Sequence, residues 1–341
     1  MNLKDKLKDN YDLILVGSSF ASSFFLKKFL QNSDENVKVL VLEWGQVNPH
    51  KWQVENGKNS NIDEQMEFSR QGVSNKDWKF TLGFGGSSSC WTGCTPRMLP
   101  NDFRLKSVYG VGMDWPISYD ELDPYYCEVE EVMQISGADD WSLSHMSKPF
   151  PQKPHRLNDI DRLIKAAYPE HYYPQATARA RIPTENRPSC CSSAYCHLCP
   201  VNAKFTIQNE LSHLYDDPRV DLSLNSKVIA LDIVGGQAKG VRYEKMGEEL
   251  HVNGDIIALG ANAIFNAAIL LRSGDKSPLL GKRIHEQIST TVKIDLKDVG
   301  GMQGSTLITG QGYMFYDGAH RSEYGACMTE TANFLPTFRA E

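Results

Sequence analysis

The sequence predicts an α/β fold built on a parallel sheet, and three stretches carry that prediction. Tyr11-Asp12-Leu13-Ile14-Leu15-Val16-Gly17 is a short apolar run of the buried-strand kind that ends in a glycine. Residues 19–30 follow it at once with helical length, and Val37-Lys38-Val39-Leu40-Val41-Leu42 then supplies a second apolar run. Two buried strands joined by one helix make a βαβ unit, whose strands run parallel because the crossover returns the chain in the same direction.

The residues at the turns of this unit suggest what it binds. Gly17, Ser18, Ser19 and Ser22 keep the start of the helix small, and unpaired backbone N–H groups and the positive end of the helix dipole attract a diphosphate there. Glu43 ends the second strand, where a carboxylate can accept hydrogen bonds from a ribose, and Trp44-Gly45 then breaks the pattern. Of the three glycines of G-x-G-x-x-G only Gly17 is present; Ser19 and Ser22 stand in the other two places, each adding a Cβ where the backbone must approach closely. A dinucleotide site is expected here, the alternative being an ordinary buried βαβ unit with no ligand.

Composition bounds the rest. The 341 residues suffice for two domains or one large one, and a net charge of -6 gives no basic surface on which to expect nucleic acid. The first ten residues are charged and lack an apolar core, so cytoplasmic residence is the expectation. The longest apolar run, residues 256–271, is interrupted by Asn262 and Asn266 and falls short of the roughly 20 residues of a bilayer span. It reads as core, and no transmembrane segment is expected.

Further along, residues 45–77 are polar and read as a surface loop. Residues 82–97 pack glycines, hydroxyls, two cysteines and two aromatics with almost no charge, which suits backbone lying against a ligand better than a Gly/Ser linker. Val220-Asp221-Leu222-Ser223-Leu224 and residues 227–233 pattern as strands, and Gly235-Gly236 turns the chain back into residues 238–243. Residues 255–264 read as a strand and glycine turn feeding a helix to Leu271. Residues 291–296 and 313–315 read as parts of a second sheet. His145, His155 and His171 are given no role.

The series Gly17-Ser18-Ser19, Glu43, Gly85-Gly86-Ser87-Ser88, Arg97 with Asp102-Phe103, Asp114-Trp115-Pro116 and Leu122-Asp123-Pro124-Tyr125-Tyr126 occurs in one order. It resembles the glucose-methanol-choline family of FAD-dependent oxidoreductases, in the branch of pyranose oxidases and sugar dehydrogenases, over residues 11 to about 287. The resemblance implies a Rossmann-like FAD-binding domain, a parallel sheet with an antiparallel ribbon, formed from residues 1–130 and 186–290. An incomplete α+β substrate domain would come from residues 131–185 and 291–341. The same resemblance puts Gly17, Ser18, Ser19 and Ser22 at the FAD pyrophosphate and Glu43 and Trp44 at the ribose. Gly85, Gly86, Ser87, Ser88, Cys90 and Trp91 would run along the flavin, with Val228 near the adenine and Gly260 and Ala261 as a second contact on the phosphate side. Cys90 stands where pyranose oxidases carry the histidine that bonds their flavin, which implies non-covalent FAD, a cysteinyl flavin being the alternative.

Cys190, Cys191, Cys196 and Cys199 fall within ten residues, and thiolates so spaced on a loop can converge on one metal. The segment resembles the one that carries a three-iron, 3Fe-4S type iron-sulfur cluster in flavoprotein subunits of bacterial sugar dehydrogenases. Structural zinc, with His197 as a ligand, and a turn without metal are the other readings. The implied activity is oxidation of a CH–OH group of a sugar or polyol by hydride transfer to flavin N5, in a dehydrogenase that relays electrons to a partner. No residue matches the family's catalytic histidine, so the catalytic residues are unassigned. A second polypeptide is expected to supply them, unless the chain is a non-catalytic FAD-binding or electron-transfer subunit.

Overall fold

A computed structural model of the chain describes residues 7–69, 71, 78–285, 287–294, 296–299 and 307–332. Its helices are α1 (Phe20–Gln31), α2 (His50–Asn56), α3 (Leu105–Tyr109), α4 (Tyr119–Met133), α5 (Asp159–Ala167), α6 (Ile207–Glu210) and α7 (Asn262–Arg272). Its strands are β1 (Asn10–Val16), β2 (Val39–Leu42), β3 (Tyr172–Pro174), β4 (Val220–Ser223), β5 (Lys227–Val234), β6 (Gln237–Lys245), β7 (Glu248–Leu259), β8 (Ile308–Phe315) and β9 (Cys327–Ala332). The chain divides into two compact units, Met1–Cys90 with Thr206–Val292, and Trp91–Phe205 with Lys293–Glu341.

The first unit holds a six-stranded sheet in the order β4-β2-β1-β7-β6-β5. β4, β2 and β1 are parallel to one another and to the second half of β7, with Leu13 opposite Val39 on one side and Ile256 on the other. The first half of β7 pairs antiparallel with β6, and β6 with β5, which makes the antiparallel ribbon. The fold is the α/β arrangement expected, and its strands form where the apolar runs lie. Leu13, Ile14 and Leu15 have no exposed surface, and burying each such side chain is worth about 1.5–3 kcal/mol. Tyr11, Val16, Leu40, Leu42, Val228, Val241, Val252 and Ile269 join Ile14 in one core.

Gly235 and Gly236 both have positive φ, 59° and 79°, as a two-residue hairpin twisted with its strands requires. Met246 and Gly247 repeat this at 56° and 83°, a second hairpin that the sequence reading missed. β7 accordingly starts at Glu248 rather than at residue 255. The polar, exposed residues at its start hide it from hydrophobic patterning. Residues 45–77 are likewise more than a loop: α2 forms there, too short and polar to signal itself, and Gly57 closes it in the left-handed conformation.

In the second unit β3, β8 and β9 form an antiparallel sheet. Residues 313–315 lie in β8 as expected, whereas residues 291–294 and 296 are exposed and outside any strand, so that expectation is corrected. Their alternating residues lack a neighbouring strand to bury them. α4 opens with a reciprocal cap, the Ser118 N–H donating to the Glu121 carboxylate at 2.7 Å and the Glu121 N–H to the Ser118 hydroxyl at 3.2 Å. Arg97 lies buried beneath α4, donating to both oxygens of Glu130 at 2.7 Å and to Asp123 at 2.6 Å. Asp123 also accepts the Ser147 N–H at 2.9 Å, and the Tyr119 hydroxyl donates to His145 O at 2.7 Å. Those bonds hold residues 91–130 with the residues that follow, which is why the units change over at Cys90 rather than near residue 130. Among the described residues no helix is long and apolar enough to cross a membrane.

Candidate nucleotide-binding site

One cleft of about 400 Å³ opens in the first unit at the C-terminal ends of β1, β2 and β7, where open parallel sheets place their ligands. Gly17, Ser18, Ser19, Glu43, Trp44, Gly86, Ser87, Val228, Gly260 and Ala261 all line it. Ser22, Gly85, Ser88, Cys90 and Trp91 do not line it. Ser22 packs behind Gly260. Gly85 and Ser88 support the wall, the Gly85 N–H donating to the Ser18 hydroxyl at 2.9 Å and the Ser88 hydroxyl accepting from the Ile207 N–H at 3.0 Å. The Cys90 thiol turns to Ser87 O at 3.6 Å, and Trp91 belongs to the second unit, where its indole N–H donates to Phe205 O at 2.8 Å.

The serines in the glycine places are accommodated by glycines on other segments. Ser19 faces Gly86, where an added Cβ would lie 2.5 Å from the Ser19 Cβ. Ser22 faces Gly260, where an added Cβ would strike the Ser22 hydroxyl. The space that the fingerprint normally frees with its own glycines is freed here by glycines on the opposing segments. Gly17 itself keeps a φ of +91°, and a Cβ there would come within 2.9 Å of Gly260 O.

Ser18 is the hub of the site and has no exposed surface. Its hydroxyl donates to the Glu43 carboxylate at 2.6 Å, and its N–H donates to the same oxygen at 3.1 Å. The Gly45 N–H donates to the other Glu43 oxygen at 3.0 Å. Burial pushes the Glu43 carboxyl above the usual carboxylate range, and the bonds from Ser18 and Gly45 oppose that rise. The first turn, the end of β2 and the Gly-Gly-Ser-Ser segment are thereby joined through one hydroxyl.

Two helix N-termini meet the cleft. Phe20 and Ala21 of α1 line it, with no acidic residue in the first turn, as do Asn262 and Ala263 of α7. No side chain is hydrogen-bonded at the N-cap of α1, so its backbone N–H groups and dipole are directed to an anionic ligand, whereas in α7 the Asn262 side chain accepts from the Ile264 and Phe265 N–H groups at 2.9 and 3.1 Å. Residues that the sequence reading missed complete the walls. Lys227 lies 4.0 Å over the Trp44 ring and 3.3 Å from the Glu67 carboxylate, and Phe265 packs edge-on to Trp44 at 5.2 Å. Arg272, Thr81, Ser226 and Asn266 also line the cleft. No local pattern singles them out: Lys227 opens β5, Phe265, Asn266 and Arg272 lie on α7, and only the packing of these elements brings them to one cleft.

The cysteine segment belongs to the second unit and does not assemble into a metal site. Among the described residues no three His, Cys, Asp or Glu side chains are placed to hold a metal ion. Cys196 instead takes a hydrogen bond from the buried Arg179 guanidinium at 3.4 Å, with Cys94 at 3.9 Å on the same group. The Arg179 guanidinium thus stands beside the Cys196 sulfur, and in this arrangement Cys190, Cys191, Cys196 and Cys199 do not converge on one point.

No family model matches the chain. It is 24% identical to the fructose dehydrogenase large subunit of Gluconobacter japonicus, over 96% of this chain and 68% of that one. It is 26% identical to the 6'''-hydroxyparomomycin C oxidase of Streptomyces lividus, over 84% and 56%. Its fold matches that of the pyridoxine 4-oxidase from Mesorbium loti with a TM-score of 0.51 at 18% identity, over 78% of this chain and 52% of that one. These likenesses are consistent with the glucose-methanol-choline kind of FAD-dependent oxidoreductase that the sequence resembles. It spans about half to two thirds of the length of these relatives.

Proposed function

We propose that the chain is the FAD-binding part of a dehydrogenase that oxidises a CH–OH group of a sugar or other polyol, with a second polypeptide supplying the base. The observation that carries this reading is the cleft. Small residues, the N-terminus of α1 and a held carboxylate converge on it, and its backbone cradle is one that a Cβ on Gly17 would fill. FAD fits this donor set. The N–H groups at the start of α1 would meet its diphosphate. Glu43 keeps lone pairs for a ribose after accepting from Ser18 and Gly45, and Trp44, Phe265 and Val228 offer an apolar wall to the adenine. The turn at Gly86–Ser88, tied to Ser18 through Gly85, would carry backbone toward the isoalloxazine.

The chemistry that FAD would supply here is a hydride acceptor for a carbinol carbon. That transfer needs a base for the hydroxyl proton, held near contact distance. Among the described residues no histidine lines the cleft. His155 is buried against Arg179 O, His251 pairs with Asp232, and His320 bonds Phe315 O. This supports a base from elsewhere. The substrate class rests on relatives whose names are fructose dehydrogenase and 2-methyl-1,2-propanediol dehydrogenase. No electron step is assigned to the cysteines.

The same absence of a cleft histidine favours, as a second reading, a non-catalytic FAD-binding subunit. Visible spectra of the chain after gel filtration with FAD test both. A retained flavin band that sugar bleaches only when a second polypeptide is present supports the split enzyme, and a retained band that no sugar bleaches in any mixture supports the binding subunit. A colourless protein overturns both.

A further inference from the structure

An ion pair on the cleft wall faces the ligand space. Glu67 and Lys227 both line the cleft, 3.3 Å apart, with 30% and 34% of their side chains exposed. Lys227 opens β5 directly opposite the exposed Glu244 of β6, a cross-strand partner of opposite charge. Its ammonium lies instead 4.0 Å over the Trp44 ring and against Glu67. Glu67 is held from its own side by a row of rings. The next residue, Phe68, packs on Phe80 at 5.6 Å, Phe80 meets Phe265 edge-on at 5.5 Å, and Phe265 meets Trp44 edge-on at 5.2 Å. The row begins beside Glu67 and ends under Lys227, which fixes both members of the pair in one place. A solvated surface pair, worth about 0–1 kcal/mol, has no such support.

We propose that Glu67 and Lys227 read the base edge of the dinucleotide and restrict the cleft to adenine. This rests on the FAD reading above and names how the nucleotide half of that ligand is selected. An ammonium has three N–H donors and a carboxylate has two accepting oxygens. Their mutual contact uses one Lys227 N–H and Oε2 of Glu67, so side by side they still offer a donor and an acceptor. Adenine carries the matching pair on its Watson–Crick edge, an amino donor at N6 beside an acceptor at N1. The N6 amino group would donate to Glu67, and Lys227 would donate to N1. Hypoxanthine carries a carbonyl oxygen in place of the amino group and an N–H at N1, so oxygen would face carboxylate and N–H would face ammonium. Charge sharpens that rejection, because hydrogen bonds to ionised groups are about twice as strong as neutral ones and losing one leaves a partly buried charge short of a partner. The apolar wall of Trp44, Phe265 and Val228 accepts any planar base and cannot make this distinction.

Flavin fluorescence titration of the full chain, freed of bound nucleotide, tests this with FAD and flavin hypoxanthine dinucleotide, two probes that differ only at the base edge. FAD should bind about tenfold to a hundredfold more tightly. Glu67→Gln, whose amide can donate as well as accept, should bring the two affinities to within a few-fold of each other. Lys227→Met, which keeps an unbranched side chain over Trp44 without the donor, should do the same. Both positions are partly exposed, and a urea midpoint equal to the parent's confirms that each variant is folded. Equal affinities in the parent chain would overturn the proposal and leave the FAD reading standing, and they need no variant to be seen. Tighter binding of the hypoxanthine form would overturn it as well, by showing an edge read in the opposite order. A preference for FAD that survives undiminished in both variants would place the discrimination elsewhere in the cleft and remove these two residues. Binding of neither dinucleotide would instead remove FAD from the cleft, and the base reading with it.

Discussion

Exchanging the glycine across the Ser19–Gly86 contact tests whether that contact stands in for the missing fingerprint glycine. In Gly86→Ala two costs combine. Gly86 has a φ of +51°, where a Cβ costs about 1–2 kcal/mol. That Cβ would also lie 2.5 Å from the Ser19 Cβ and 2.7 Å from its Oγ. The Ser19 Cβ is fixed to the backbone and cannot rotate away, so overpacking adds about 1–3 kcal/mol. The single variant should lose about 2–5 kcal/mol in all. Ser19→Gly alone should cost only a few tenths of a kcal/mol, because the Ser19 hydroxyl makes no capping bond. In the double variant the clash disappears and the left-handed strain remains, so the coupling between the two changes should be about 1–3 kcal/mol. Equilibrium urea unfolding of the four proteins, followed by fluorescence, measures the cycle, and FAD titration reports the same coupling in affinity. Strictly additive effects would refute the claim that Gly86 makes room for Ser19.

Ser18→Ala should weaken FAD binding about tenfold or more, because it leaves the buried Gly85 N–H and the Glu43 carboxylate each short of a partner, at about 1–3 kcal/mol; an unchanged affinity would remove Ser18 as the hub. Arg97→Met should destabilise the second unit by about 3–5 kcal/mol, since Asp123 and Glu130 would be left buried and unpaired. Restoration of much of that loss on adding Asp123→Asn and Glu130→Gln is the accompanying expectation, and a single variant as stable as the parent would contradict it. Burial holds His155 neutral, lowering its pKa from 6.5 to about 4. The unfolded chain therefore takes up a proton below about pH 6.5 that the folded chain refuses until about pH 4, so stability falls over that window by about 3 kcal/mol as pH drops. Comparing urea midpoints from pH 7 to pH 4 for the parent and His155→Gln checks this: the variant's profile should be flatter, and parallel profiles would contradict it.

Much of the site could be read from the chain because the first βαβ unit is local: apolar runs, a glycine and an acidic strand end lie within 35 residues of one another, and β1, α1 and β2 formed where those signals stood. The Gly85–Ser89 segment was legible for a similar reason, since backbone that lies against other groups must be small. α2, the start of β7 and the walls at Lys227, Phe265 and Arg272 were not legible, because polar or isolated residues acquire a role only from what the sheet register sets beside them.

Sequence alone determined that this chain would build a parallel sheet with small residues at the ends of its strands, since strand burial and small turn residues follow from side-chain chemistry at each position. Tertiary structure alone decided the rest. It placed the compensating glycines opposite Ser19 and Ser22 and put Arg179 beside Cys196. Each of these depends on which distant segments meet, and contact between segments far apart in the chain is set by packing rather than by local pattern.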